Sequence, residues 1–91
     1  MNISHENIER ELRREDIEGF LETGAPEDEY ASEAREIALS LTKIPINIRY
    51  EDSIIEIMSN IWASNFDLSE QDITLRLPAI QRVARRLIQS D

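Results

Sequence analysis

The chain has no cysteine, a single histidine and only two glycines, and each scarcity removes a class of function. Without cysteine there is no disulfide framework, no thiolate metal site and no cysteine nucleophile. A zinc site built on histidine needs further nitrogen or sulfur ligands, which His5 lacks, so we interpret His5 as a solvated side chain. Two glycines are too few for the glycine-rich loops that cradle phosphates. The chain is therefore expected to work without a cofactor and not as an enzyme.

Long apolar runs are also missing, although 41% of the 91 residues are hydrophobic. No run approaches the roughly 18 residues of a membrane span. The segment from Met1 to Glu6 lacks the basic and apolar regions of a signal peptide. This length and apolar content suit one small folded core. We expect a single domain over residues 1–91, cytoplasmic and without membrane association.

Charge is the most unusual property of the sequence. Nineteen acidic residues stand against ten basic ones, a net charge of −9, which excludes a generic binder of nucleic-acid phosphates. The excess is uneven, because residues 1–42 carry a net −8 and residues 43–91 a net −1. A small basic group near the end of the chain suits the negative pole of a last helix and its solvation: Arg82, Arg85 and Arg86.

Apolar spacing in the first half predicts two helices. The first begins after the N-cap Ser4 and loses its pattern near Glu15; residues 16–25 then form an irregular connection in which Gly19 and Gly24 allow turns. Pro26 suits the first turn of a second helix, which Pro45 ends. Its apolar face recurs at intervals of four and three: Tyr30, Ala34, Ile37, Leu41 and Ile44. Spacing i,i+4 predicts ion pairs on the first helix: Glu6–Arg10 and Glu9–Arg13.

The second half predicts two more helices. The third runs from about residue 48 to 64, with Trp62 in the core and Asn65 just past its end. The fourth begins at Ser69 and keeps one apolar face across Pro78, although an internal proline costs about 3 kcal/mol. Either one kinked helix spans 70–89, or a short turn precedes a helix that starts near Pro78, and we favour the break. The prediction is an all-α, bundle-like domain of four helices.

One pattern of carboxylates is similar to part of a known metal-binding motif. Glu33 and Glu36 form E-x-x-E on one helical face, as in all-α pyrophosphohydrolases, which bind magnesium through this pattern and an E-x-x-D on the next helix. The second half of that pattern is missing, and Mg²⁺ requires near-octahedral oxygen ligation. The pattern therefore favours a solvated face. A metal or small-ligand site that uses Glu29 with these two residues is the alternative.

The connection between the first two helices resembles a known family. Asp16, Gly19 and the acidic stretch that ends at Tyr30 are similar to the YugE-like family of small bacterial helical domains, which have no established activity. Glu15 and Ile17 stand where that family has Trp and Pro. The resemblance implies four helices, with Asp16 and Tyr30 fixing the first connection. In size and acidity the chain also resembles nuclease-colicin immunity proteins, but it lacks their Tyr-Tyr-Pro segment.

These observations predict an interaction module that binds a basic protein, in the manner of an inhibitor or immunity factor. Like charge on one surface speeds encounters with a basic partner. The alternatives are an acidic surface kept for solubility, the metal or small-ligand site on the second helix, and a homodimer that pairs apolar residues such as Ile55 or Phe66. The partner surface is expected to include Glu15, Asp16, Glu27, Asp28, Glu29, Glu33 and Glu36.

Overall fold

A computed structural model of the chain describes residues 3–45 and 50–90. These residues form four helices and no strand, which confirms the predicted all-α class: α1 His5–Glu15, α2 Ala31–Leu41, α3 Tyr50–Asn65 and α4 Glu70–Ser90. The predicted start of the third helix near residue 48 falls outside the described residues. None of the four helices, over the part of the chain that is described, has both the length and the apolar character that crossing a bilayer requires.

Local capping chemistry sets the start of α1 and α4 where the sequence predicts it. The Ser4 hydroxyl accepts the backbone N–H of Asn7 at 3.2 Å. Ser69 and Asp72 form a reciprocal capping box, in which each side chain accepts the backbone N–H of the other residue. Such caps satisfy N–H groups that have no partner within the helix.

The helices pack in a ring in which α1 and α3 each contact both α2 and α4. Every helix contributes to one core of fully or nearly fully buried side chains: Ile3, Ile8, Leu12, Tyr30, Ala34, Ile37, Leu41, Ile54, Met58, Trp62, Ile80, Val83, Ala84 and Leu87. Trp62 lies in this core, as predicted. Each buried large apolar side chain contributes roughly 1.5–3 kcal/mol, so this shared interior holds the bundle together.

The second helix begins later than predicted, at Ala31 instead of Pro26. Residues 26–31 form tight turns, with the N–H of Glu29 donating to the carbonyl of Pro26 and the N–H of Ala31 to that of Asp28. Tyr30 ends this segment as the N-cap residue of α2, and its ring is fully buried in the core. The helix ends at Leu41, so Ile44 lies beyond it, half-buried against the core.

The break predicted at Pro78 is wrong, because α4 is continuous from Glu70 to Ser90. Pro78 removes one backbone donor, and the carbonyl left without it belongs to Thr74. Both residues are exposed, so water can satisfy that carbonyl. Buried residues beyond the proline keep the helix on the core. At the end of α3, the left-handed residue is Asp67 (φ 53°) instead of Asn65, which is still helical.

Candidate functional site

The connection between α1 and α2 is organised around Asp16. Its backbone is left-handed (φ 47°) and ends α1, a conformation that aspartate tolerates better than most residues. Its carboxylate accepts the backbone N–H groups of Leu21 at 3.1 Å and Glu22 at 3.0 Å, and the Tyr30 hydroxyl at 2.7 Å. Gly19 takes a positive φ of 72° in the same turn. Asp16 and Tyr30 therefore join the two ends of the connection.

The charge state of this pair follows from its surroundings. Burial is the largest influence on Asp16 and opposes ionisation, but the hydrogen bonds from Tyr30, Leu21 and Glu22 together outweigh it and lower its pKa below the ordinary value. Burial, followed by the hydrogen bond to Asp16, raises the pKa of the Tyr30 phenol well above its ordinary value. Asp16 is thus an anion and Tyr30 a neutral donor near neutral pH.

Glu18 ties the same connection to the second half of the chain. Its side chain is 9% exposed and accepts two bonds from the Arg76 guanidinium, at 2.5 Å and 3.0 Å. It also accepts the indole N–H of Trp62 at 2.9 Å. The Trp62 ring stacks on Tyr30 and contacts Phe66. The fold therefore uses Glu18 to position a core tryptophan, and its charge is neutralised internally.

Two arginines near the end of α4, Arg82 and Arg86, pair with carboxylates of α1, and Arg85 pairs with Glu51 of α3, where we expected all three to serve the helix dipole and solvation. Arg86 donates to Glu11 at 2.6 Å and to Glu15 at 3.1 Å, and Arg82 also pairs with Glu15. The hydrogen bond from Arg82 is the main cause of the lowered pKa of Glu15. The side chain of Glu11 is 7% exposed. Glu11 and Glu15, two acidic residues of the first half, are therefore paired within the fold, as Glu18 is.

Four carboxylates in residues 22–29 take no part in these ion pairs with arginine. We call Glu22, Glu27, Asp28 and Glu29 the acidic turn; all four are exposed. Over the described residues, no arginine or lysine nitrogen lies within 4 Å of them: Arg10, Arg14, Arg76, Arg82, Arg85 and Arg86 pair with other carboxylates. Of the seven residues predicted to bind a partner, the acidic turn holds three, while Glu15 and Asp16 are engaged internally.

The remaining two predicted residues, Glu33 and Glu36, share one amide. The Asn65 side-chain N–H₂ donates to Glu33 at 3.0 Å and to Glu36 at 2.8 Å. Glu33 is buried and Glu36 exposed. A cation at this position would have to displace the amide. Within the described ranges, 3–45 and 50–90, no three histidine, cysteine or carboxylate side chains are grouped as metal ligands.

Other predicted features lie elsewhere. His5 is half exposed beside Glu6, whose carboxylate is 3.2 Å away. Ile55 and Phe66, the residues expected at a dimer face, pack partly against the core. In the described part of the chain the large apolar side chains that are exposed are Leu39 and Leu75.

One cleft was missed at the sequence level. Arg10, Arg13 and Arg14 line it, and the predicted ion pairs of these residues with Glu6 and Glu9 do not form. Their i, i+3, i+4 spacing places three guanidinium groups on one face of α1, a signal that could have revealed the cleft.

Comparison with known proteins gives no relative to guide the interpretation. No protein-family model matches this chain, and no curated protein or solved structure matches it at a significant level. Membership of the YugE-like family stays a prediction.

Proposed function

We propose that this protein is a non-enzymatic interaction module that binds a basic protein through the acidic turn. The observation that carries the proposal is the contrast between paired and unpaired carboxylates. Glu11, Glu15 and Glu18 each have an arginine partner inside the fold, whereas the carboxylates at positions 22–29 are exposed and have no such partner in residues 3–45 and 50–90. In a chain of net charge −9, this surface concentrates the charge that is free to act on another molecule.

Unpaired carboxylates on a firm support suit the capture of lysine and arginine side chains. The acidic turn is anchored on one side by Asp16, which binds the N–H of Glu22, and on the other by the buried ring of Tyr30. A fixed array of like charge raises the rate of encounter with a cationic surface, and correctly placed pairs then slow dissociation. Anchoring also reduces the ordering that binding would otherwise require.

Glu36 extends this surface onto α2. It is exposed, and the Asn65 amide holds it beside Glu33. Asn65 supplies one donor nitrogen to two carboxylates, so lone pairs remain for a further donor. A guanidinium of the partner fits such a position, because its planar fork matches carboxylate oxygens. In this proposal the protein acts as an inhibitor or immunity factor in the bacterial cytoplasm, as the sequence-level resemblances indicate.

The experiment that tests the proposal is a capture from lysate of the source organism, washed at low and at high salt, with bound proteins identified by mass spectrometry. The expected result is a basic protein that is retained at low salt and released at high salt, because screening shortens the Debye length from about 10 Å at 0.1 M to about 3 Å at 1 M. The same capture is made with the charge-reversed variant Asp28→Lys/Glu29→Lys, which should lose the basic protein.

A matched control separates the acidic turn from net charge. Asp52 and Glu56 are exposed carboxylates on α3, so Asp52→Lys/Glu56→Lys changes the net charge by the same amount. Asp52 lies in the first turn of α3, so the control also includes a charge reversal near a helix N-terminus. The control should retain the partner. Recovery of no basic protein at low salt, or equal loss by both variants, would contradict the proposal.

A further inference from the structure

A cleft of about 570 Å³ lies between α1 and the connection that follows it, and its lining is basic on one side. Arg10, Arg13 and Arg14 form that side. The opposite side consists of two apolar residues and one carboxylate: Leu21, Ala25 and Glu27. Small-molecule sites are concave and combine apolar surface with a few polar groups that fix the orientation of the ligand; this cleft holds both kinds of group, with the charged ones in the majority.

These arginines differ from those of α4 in their lack of close partners. Arg76, Arg82, Arg85 and Arg86 each have a carboxylate oxygen within 3.3 Å, and three of them take part in contacts of 2.9 Å or less. In contrast, Arg10 and Arg14 come no closer to a carboxylate than 3.8 Å and 3.9 Å.

The carboxylate that Arg10 and Arg14 approach belongs to Glu11, which already accepts a hydrogen bond from Arg86 at 2.6 Å. Arg13 has no ion pair in the described residues. Three arginines and one carboxylate, Glu27, line the cleft, and the ion pairs that Arg10 and Arg14 make with Glu11 are long, so the lining carries an excess of positive charge. Their donors are therefore available to an anion in the cleft.

We propose that this cleft binds a small molecule that carries a phosphate group, with the phosphate on Arg10, Arg13 and Arg14. A phosphate monoester has three terminal oxygens and close to two negative charges, whereas a carboxylate has two oxygens and one charge. Guanidinium forks form paired hydrogen bonds with such oxygens. A phosphate group therefore matches the charge and the hydrogen-bond donors of three neighbouring guanidiniums better than a carboxylate does.

The other side of the cleft constrains the remainder of the ligand. Leu21 and Ala25 offer apolar surface to its carbon skeleton, and Glu27 accepts a hydrogen bond from a hydroxyl or amino group. Glu27 also repels a ligand that is anionic over its whole length. The site therefore fits a compact phosphate ester with a neutral, hydroxyl-bearing body. Glu27 belongs both to this cleft and to the acidic turn, whereas Asp28 and Glu29, which the charge-reversed variant alters, do not line the cleft.

The test is a titration of the ¹⁵N-labelled protein followed by NMR of the arginine Nε–Hε groups. The probes are glycerol phosphate, glutarate and sodium chloride at matched ionic strength. Glycerol phosphate should give saturable shifts at Arg10, Arg13 and Arg14, with an affinity about tenfold above that of glutarate, because charge-assisted hydrogen bonds differ by this order. Sodium chloride should give only small shifts that do not saturate.

Variants make the assignment specific. Arg13→Gln should weaken the binding of glycerol phosphate about tenfold, and it preserves the fold because Arg13 has no ion pair to lose. Arg35 is an exposed arginine on α2 that lines a different groove, so Arg35→Gln is the control and should bind as the unaltered protein does. The proposal is overturned if glutarate or chloride reproduces the shifts, or if Arg13→Gln binds glycerol phosphate with unchanged affinity.

Discussion

Replacing Tyr30 with phenylalanine removes a single oxygen from the centre of the α1–α2 connection. That hydroxyl donates to Asp16 at 2.7 Å and accepts the backbone N–H of Glu18 at 3.0 Å. The ring itself is fully buried and lies against Phe20 and Trp62, with centroids 5.9 Å and 6.0 Å away. Phenylalanine keeps these contacts, so the variant isolates the hydrogen bonds.

The expected loss of unfolding free energy follows from the two bonds. A hydrogen bond to a charged group contributes about 1.5–3 kcal/mol, and a backbone N–H left unsatisfied costs about 1–3 kcal/mol when it is buried. Both groups are only partly buried here, and Asp16 keeps the N–H donors of Leu21 and Glu22, so water recovers part of the loss. We expect Tyr30→Phe to lose about 2–3 kcal/mol of unfolding free energy, or roughly 8–24 °C in Tm for a domain of this size.

Urea unfolding followed by circular dichroism measures this loss. Thr74→Val is the control, because it also removes a hydroxyl, at an exposed position of α4 where the oxygen bonds only to the carbonyl of Glu70. The control should change stability by less than about 0.5 kcal/mol. If Tyr30→Phe were as mild as the control, the hydroxyl would not hold the connection together, and the account of a firmly anchored acidic turn would be refuted.

Three further predictions concern α4 and pH. Arg86→Met should lower the free energy of unfolding in urea by about 2 kcal/mol, because it leaves Glu11 buried beside only weak partners. The double variant Glu11→Leu/Arg86→Met should recover most of that loss. A double variant as unstable as the single one would contradict this. Pro78→Ala should raise the free energy of unfolding by about 1–3 kcal/mol, and with it the Tm, because it restores a helical N–H at an exposed site. A lower Tm would show that the proline is favourable there. Because the folded pKa of Glu15 is lowered, its ionisation stabilises the fold above the unfolded value of 4.5, and this contribution disappears as the pH falls through the folded pKa. Glu15→Gln should therefore flatten the dependence of the urea midpoint on pH below about 4.5, and an unchanged slope would contradict this.

Features set by local chemistry could be predicted from the sequence. Ser4 and Ser69 start their helices because a serine hydroxyl caps N–H groups three residues away, which requires no knowledge of the rest of the chain. Gly19 and Gly24 both adopt positive φ, as their place in a predicted connection indicates. The apolar spacing of α4 continued across Pro78, and that periodicity was a better guide than the cost of the proline.

Features set by distant contacts could not be predicted in this way. Tyr30, which precedes α2, is held by Trp62 of another helix and by Asp16, and both residues are distant from it in the sequence. Glu15 and Glu18 belong to the acidic half of the sequence, yet arginines of α4 pair with both. No local pattern in the sequence indicates those pairs, so the internal pairing of Glu15 and Glu18 could not be predicted.

The charge asymmetry of the sequence thus has two parts in the structure. One part serves the fold, because carboxylates of α1 and of its connection meet arginines of α4 across the bundle. The other part stays on the acidic turn, where no cation of the described residues approaches within 4 Å. This division narrows the proposed partner surface to residues 22–29 and Glu36.

The most direct test of the proposed function is the dissociation constant of the captured basic partner, measured over a range of salt concentrations. Asp28→Lys/Glu29→Lys should weaken binding at least about tenfold at low salt and reduce its dependence on salt, since like charges facing each other at an interface cost several kcal/mol. Asp52→Lys/Glu56→Lys should stay within about twofold of the unaltered protein, a difference below 0.5 kcal/mol. Equal weakening by both variants would show that net charge alone governs binding and would contradict the assignment of the acidic turn as the partner surface.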